Sequence, residues 1–380
     1  MANLEIVAVS NRRHWRDFYK VRRQIYKNDP AAVIPLVRME RQQLDRDHNP
    51  FFQHAVMEAF VAYDGKRPVG RIAAIFDHLH QEYHQDKTGF FGFFEAIDDQ
   101  RVVQRLIDRA TEWLKQQQCD LIRGPVNPSM KSDFGVLVEG HQDPPSIMLA
   151  HTPLRYERHL LDAGFEVAKS FHAFRVIFSQ QFDESMVKIR LLEQSTEKVI
   201  QRYPKLKIRP VSAESYAETL RQINELGNEV RREGWGFVPL TSAELEFMIK
   251  NLRQIIRFDM IHAAYYDDRL VGYIVNIPDL NWALKRTWGK SDWLRMLQLP
   301  FLLRRVPKTR VIALGVDPDF RSKGTAMLLI KQLSDRYHFY DEWEFSWVQE
   351  DNQKSIRAIS RAIPLNQFKT WRIYQRKIES

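Results

Sequence analysis

The chain has 380 residues, 44% of them hydrophobic and 28% charged, with a formal net charge of +9. That length can hold two or three domains with real cores, and the composition excludes a mostly disordered chain. A single cysteine, Cys119, excludes an intrachain disulfide. The first residues lack the basic-then-apolar pattern of a leader, and no apolar run approaches the roughly 20 residues of a membrane span. A cytoplasmic, reducing setting is therefore expected. The positive charge suits polyphosphates or anionic surfaces. It is spread along the chain without a nucleic-acid-binding signature, so no nucleic acid partner is expected. Nothing in the pattern sets an oligomeric state.

In chain order, Tyr63 to Ile72 reads as strand, tight turn, strand. A strand at 90–94, a helix at 100–117 and a strand at 120–123 follow. Val103, Leu106, Ile107, Ala110 and Leu114 fall at three-to-four spacing on that helix. His78, His80 and His84 match no ligand spacing, so no metal is expected. The turn-rich segment Arg123 to Ser129 sits at a strand end, where a functional loop and a plain connection are both reasonable. Residues 181–204 read as a polar helical connector. The second half repeats the order: a hairpin at Tyr266 to Ile274, a strand at Val311 to Val316, a helix from Gly324 to Tyr337 and a strand at Glu344 to Val348. Strand–helix–strand order implies a parallel pair with a right-handed crossover. The expected fold is mixed α/β (α+β): tandem domains at 1–180 and 205–380, each a mixed, centrally twisted sheet flanked by helices.

Between the second hairpin and the strand at 311 lies an insertion, residues 285–305, rich in Lys, Arg, Trp and Leu. Trp293, Met296, Leu297 and Pro300 share one helical face. Such a segment suits contact with a membrane surface or cover for a long acyl chain. Packing between the two domains, as an ordinary apolar stripe, is the plain reading.

The most informative stretch is Gly315 to Ile330. A strand runs into Asp317-Pro318, then a basic glycine-containing turn, then an apolar helix. A helix start of this kind aims N–H groups and the positive end of a dipole at one point, and Arg321 and Lys323 add charge. Arg321-x-x-Gly324-x-Ala326 fits Arg/Gln-x-x-Gly-x-Gly/Ala. With the hairpin before it, Asn352 after the next strand, and Arg372-Ile373-Tyr374 near the end, the second half resembles the GCN5-related N-acetyltransferase (GNAT) superfamily. The resemblance implies that acetyl-CoA or another acyl-CoA is the cosubstrate. Arg321, Ser322, Lys323, Gly324, Thr325 and Ala326 would hold its pyrophosphate, and Asn352 its pantetheine arm. Main-chain N–H groups near Leu314 and Val316 would polarise the thioester. Two family features are absent: the strand Thr309 to Val316 has no acid, and the place of a common Tyr acid is Ile359. Asp279, Asn281 and Glu350 are the candidate catalytic residues, with Glu233 and Tyr374 behind them. Helix capping is the plain reading for the carboxylates, and packing for Tyr374.

The first half carries Ala96-Ile97-Asp98-Asp99-Gln100-Arg101 at the equivalent turn. Two carboxylates repel pyrophosphate, and Asp98 is placed to cap the helix. The first half therefore reads as a degenerate copy without a CoA loop. The expected function is transfer of an acetyl or longer acyl group from acyl-CoA to a small-molecule or lipid-like amine, by direct attack in a ternary complex. A non-catalytic acyl-CoA or lipid sensor on the same fold is the alternative.

Overall fold

The computed structural model describes residues 4–253, 256–287, 289–335 and 339–379. Tyr337, the expected helix end, and Trp288 of the insertion lie outside the described residues. The first half comprises β1 (Leu4–Ala8), α1 (Arg12–Ile25), α2 (Val37–Gln43), β2 (Ala55–Asp64), β3 (Arg67–Asp77), α3 (His78–His84), β4 (Thr88–Ala96), α4 (Gln100–Gln116), β5 (Leu121–Gly124), β6 (Val126–Asn127), β7 (Asp133–Phe134), β8 (Val136–Glu139), α5 (Arg155–Asp162) and β9 (Glu166–Ile177). The second comprises α6 (Phe182–Arg202), β10 (Leu206–Pro210), α7 (Tyr216–Val230), α8 (Ser242–Leu252), β11 (Ile261–Tyr266), β12 (Arg269–Pro278), α9 (Leu280–Arg286), α10 (Asp292–Leu303), β13 (Lys308–Val316), α11 (Thr325–Ser334), β14 (Glu342–Gln349), α12 (Gln353–Ala362) and β15 (Asn366–Lys377).

These elements form two compact units. Unit 1 is Met1–Ser170, Leu284–Arg295 and Lys369–Ser380; unit 2 is Phe171–Ala283 and Met296–Phe368. The units do not follow chain order, because each half gives most of its last strand to the other unit. The C-terminal part of β15 pairs with β5 and β8 in unit 1, and residues 171–177 of β9 pair with β14 in unit 2. The helical segment expected at 181–204 is α6. It is part of unit 2, because Ile189 and Leu192 sit in that unit's core.

Each unit has a mixed sheet with one parallel contact, β4 with β5 in unit 1 and β13 with β14 in unit 2. The parallel contact exists because a crossover helix, α4 or α11, joins the two strands. Val103, Leu106, Ile107, Ala110 and Leu114 of α4 are fully buried in unit 1's core, each large one contributing about 1.5–3 kcal/mol. In unit 2, Leu328, Leu329, Ile330 and Leu333 of α11 fill the same role, and α11 packs on α6 and α12.

Candidate functional site

In unit 2 the strands β13 and β14 pair only over Lys308–Val311 and Glu342–Phe345. β13 continues to Val316 and β14 to Gln349, so the strands part and β13 has one edge beyond Val311 not laddered to β14. Leu314 and Val316 lie on that stretch, whose other edge pairs with β12. The turn follows directly. Asp317 caps a short 3-10 segment, Pro318–Lys323, by accepting from Asp319 N at 2.9 Å, and pairs with Arg269. Gly324 takes φ +79° and α11 begins at Thr325 with no side-chain cap. A side chain at Gly324 would also meet Val199 of α6, since its Cβ would lie 2.6 Å from Val199 Cγ2.

The first N–H groups of α11 are thus not taken up by a capping side chain. Arg321 and Ser322 are exposed beside them. Arg321 Nε donates to Val316 O at 3.2 Å, and Lys323 Nζ sits 3.9 Å from the Phe320 ring centre. Thr325 is buried, with its hydroxyl donated to Phe320 O at 3.1 Å. An uncapped helix start with adjoining cations is an arrangement that binds phosphate groups.

The remaining candidates are spread around this strand pair. Asn352 caps α12, accepting from Ser355 N at 3.3 Å. Glu350 is exposed in the turn between β14 and α12. Asp279 is 3% exposed; its Oδ1 accepts from Asn281 N at 3.1 Å, at the start of α9. Its own N–H donates to Lys308 O at 3.0 Å, which ties it to β13. Glu233 is exposed. Tyr374 belongs to unit 1, where its buried hydroxyl donates to Glu157 at 2.9 Å.

Sequence reasoning missed a buried charge cluster beside Asp279. Lys308 Nζ lies 2.9 Å from Glu342 Oε1 and 3.3 Å from Glu344 Oε2. Ser346 Oγ donates to Glu344 at 2.9 Å and accepts from Arg310 Nε at 2.9 Å. Burial pulls the Arg310 guanidinium down to about 10, against the pull of Glu344 and Asp279. Burial also opposes the Lys308 ammonium, but Glu344, Glu342 and Asp279 outweigh it and hold its pKa above the ordinary value. The acid-free strand β13 thus has a carboxylate beside it, since Glu344 is the register partner of Arg310. The alternation Glu342-Trp343-Glu344 was the available signal.

Unit 1 shows what became of the other turn. The cap of α4 is Asp99, not Asp98 as expected. Asp99 Oδ1 accepts from Arg101 N at 2.9 Å, and the Arg101 guanidinium closes over the same carboxylate at 2.8 Å. Asp98 faces α5 instead, because His159 at 2.9 Å and Arg158 at 3.3 Å draw it there. The strands part here too, β4 from β5 beyond Phe90, but the opening is filled. Phe93 N donates to Asn127 Oδ1 at 2.6 Å, and a Cβ at Gly92 would collide with Val126 O. Just before the turn, on β4, stands Glu95, 6% exposed. Burial pushes its pKa up, against Arg71 and Arg22, and Tyr156 OH donates to it at 2.9 Å.

The 285–305 segment is not packed as a core stripe. Trp293, Met296, Leu297 and Phe301 of α10 are 63%, 46%, 62% and 71% exposed. Buried Arg295 faces the other way, donating to Ile34 O at 2.7 Å. Among the described residues, no helix is long and apolar enough to cross a membrane. Among the described residues, no group of three His, Cys, Asp or Glu is placed to hold a metal ion.

Residues 223–362 match the family model of the acetyltransferase (GNAT) family. The whole chain superposes on a tandem GNAT protein from the clavulanic acid biosynthesis pathway, with TM-score 0.57 and 12% identity, covering 100% of this chain and 99% of that one. Residues 223–362 thus match an acyl-transferring family, and the chain has the tandem GNAT fold. Two curated relatives match nearly end to end. Protein YghO of Escherichia coli (strain K12) is 29% identical over 97% of this chain and 94% of its own length. The bacterial ceramide synthase of Caulobacter vibrioides is 26% identical over 99% of this chain and 98% of its own length.

Proposed function

We propose that the protein is an acyl-CoA-dependent N-acyltransferase whose acceptor is a lipid-like amine. The observation that carries this is the uncapped start of α11 behind Gly324, at the end of a parted strand pair. There Arg321 to Ala326 would hold pyrophosphate, and Asn352 the pantetheine arm once its cap is shared or released. N–H groups near Leu314 and Val316 would stabilise the thioester oxyanion. The amine nitrogen attacks the thioester carbon, a C–N bond forms, and the C–S bond breaks. The thiolate leaves, and the amine proton passes to a base. Asp279, buried beside Lys308, is the candidate for that base, with Asn281 next to it; Glu350 is the exposed alternative. The lipid-like acceptor is supported by the ceramide synthase relative and by the exposed apolar residues of α10 beside Arg304 and Arg305, a pattern suited to an anionic membrane surface.

Incubation with acetyl-, octanoyl- and palmitoyl-CoA and a panel of short- and long-chain amines, followed by free-thiol release, tests this. Release dependent on a long-chain amine is expected. Tight acyl-CoA binding with no release on any amine would instead establish a sensor. That second reading draws on Ile359, buried where a Tyr acid is common.

A further inference from the structure

Unit 1 holds a cavity of about 30 Å³ that the acyl-transfer reading does not use. It is lined by Arg22, Arg71, Glu95, Asn127, Asp133 and His151, among others. The space suits a group the size of about two water molecules. Its walls are charged, with Arg71, Glu95 and His151 buried and Arg22, Asn127 and Asp133 half-buried. Arg71, 1% exposed, donates from Nη1 to Glu40 at 2.7 Å and Phe18 O at 3.2 Å, while its Nε has no hydrogen-bond partner among the described residues. Arg22 Nε and His151 Nδ1 are likewise without one. Glu95 lies 3.9 Å from Arg22 Nε and 4.0 Å from Arg71 Nη2. Asn127 Nδ2 holds Asp133 at 3.0 Å. Among the described residues, Glu95 and Asp133 in the wall and Glu40 behind it have two guanidiniums close to them, Arg22 and Arg71, so one carboxylate is in excess. The wall is also strained: Phe93, a non-glycine residue, is held at φ +51°, a conformation that clusters at ligand sites.

We propose that this cavity takes the ammonium head of a primary amine bearing a neighbouring oxygen, hydroxyl or carboxylate. The cation supplies the charge missing between Glu95 and Asp133. The oxygen accepts from the unused Nε–H of Arg71 and of Arg22, groups that are costly to leave unpaired. Burial leaves both carboxyls reluctant to ionise, and an entering cation relieves that. The small volume admits the head and leaves any chain outside. The inference shares the amine class with the acyl-transfer reading but stands without catalysis.

The test is NMR titration of the full chain with 2-amino-1,3-propanediol, L-serine and glycerol, alongside CoA. One of the two amines should saturate, which tells an amino alcohol from an amino acid, with glycerol at least about tenfold weaker. Glu95→Gln and Asp133→Asn should each weaken the amine about tenfold, the size of one lost charged hydrogen bond, and leave CoA binding unchanged. If Glu95→Gln fails to fold, Asp133→Asn carries the test. No saturable amine, equal binding of glycerol, or unchanged affinity in the variants overturns the proposal. Loss of CoA binding by the wild type alone would overturn the acyl-transfer reading and leave this one standing.

Discussion

At Gln100 the first residue of α4 follows an aspartate that caps it; at Thr325 the first residue of α11 follows a glycine with no capping side chain. Both helices leave a strand that has just parted from its parallel neighbour. A capping carboxylate and a bound phosphate compete for the same N–H groups, and in unit 1 the Asp99 cap occupies one of them. Val126 and Asn127 also fill the opening there. Unit 2 keeps the turn and the opening but has no acid on β13. Unit 1, which lost both, keeps a Glu on the corresponding strand. One scaffold used twice has divided the features, an uncapped helix start after one strand and a carboxylate carried on the other.

The comparison breaks most sharply at the cations of unit 2. Arg321→Glu with Lys323→Glu places in unit 2 the charge that unit 1 carries. Each charged hydrogen bond is worth about 1.5–3 kcal/mol, so CoA affinity measured by calorimetry should fall at least about a hundredfold. In that background, Asp98→Lys with Asp99→Ser should not create affinity in unit 1, because Asn127 and Val126 still fill the opening. An unchanged dissociation constant in the first variant would mean that the turn is not the phosphate site.

Gly324 is the next largest difference, since the turn at 96–101 has no glycine. Gly324→Ala places a Cβ at φ +79° and against Val199. The left-handed conformation costs about 1–2 kcal/mol and the overpacking about 1–3 kcal/mol. Urea unfolding should show their sum, and Val199→Ala should restore only the second part. Full restoration would show that the glycine serves spacing rather than backbone conformation.

The turn into α11 was legible as structure because Asp317, Pro318 and Gly324 mark it within a few residues, and α4 because its apolar positions keep helical spacing. The strand exchange was not: β9 and β15 would read as strands in either sheet, and sequence does not say which partner a strand finds. Glu344 was hidden because its meaning depends on its register with Arg310 across β13 and β14. Glu95 was passed over in Phe93-Phe94-Glu95-Ala96, a run that reads as core. The cap was assigned to Asp98 because sequence cannot show His159 arriving from α5 to claim it.

The smallest effect lies in pH dependence, where the two units should respond at opposite ends. In unit 1, burial raises Glu95 and Asp133 above their ordinary values of 4.5 and 3.8; the charged groups around them are Arg22 of α1, Glu40 of α2 and Arg71 of β3. The unfolded chain releases these two protons first as pH rises. From the ordinary values up to the folded ones the native state therefore binds more protons, and stability falls with increasing pH. Glu95→Gln with Asp133→Asn should flatten that fall. In unit 2, Lys308 is held above its ordinary 10.5 by Glu344, Glu342 and Asp279. Its contribution is complete below that value and is lost as pH rises through the folded one, so Lys308→Met should remove the alkaline loss. Melting temperatures of the wild type and both variants, taken from pH 4 to 7 and again above pH 10, separate the two windows. An acidic limb that keeps its slope without Glu95 and Asp133 would mean that neither carboxyl is held protonated in the folded unit.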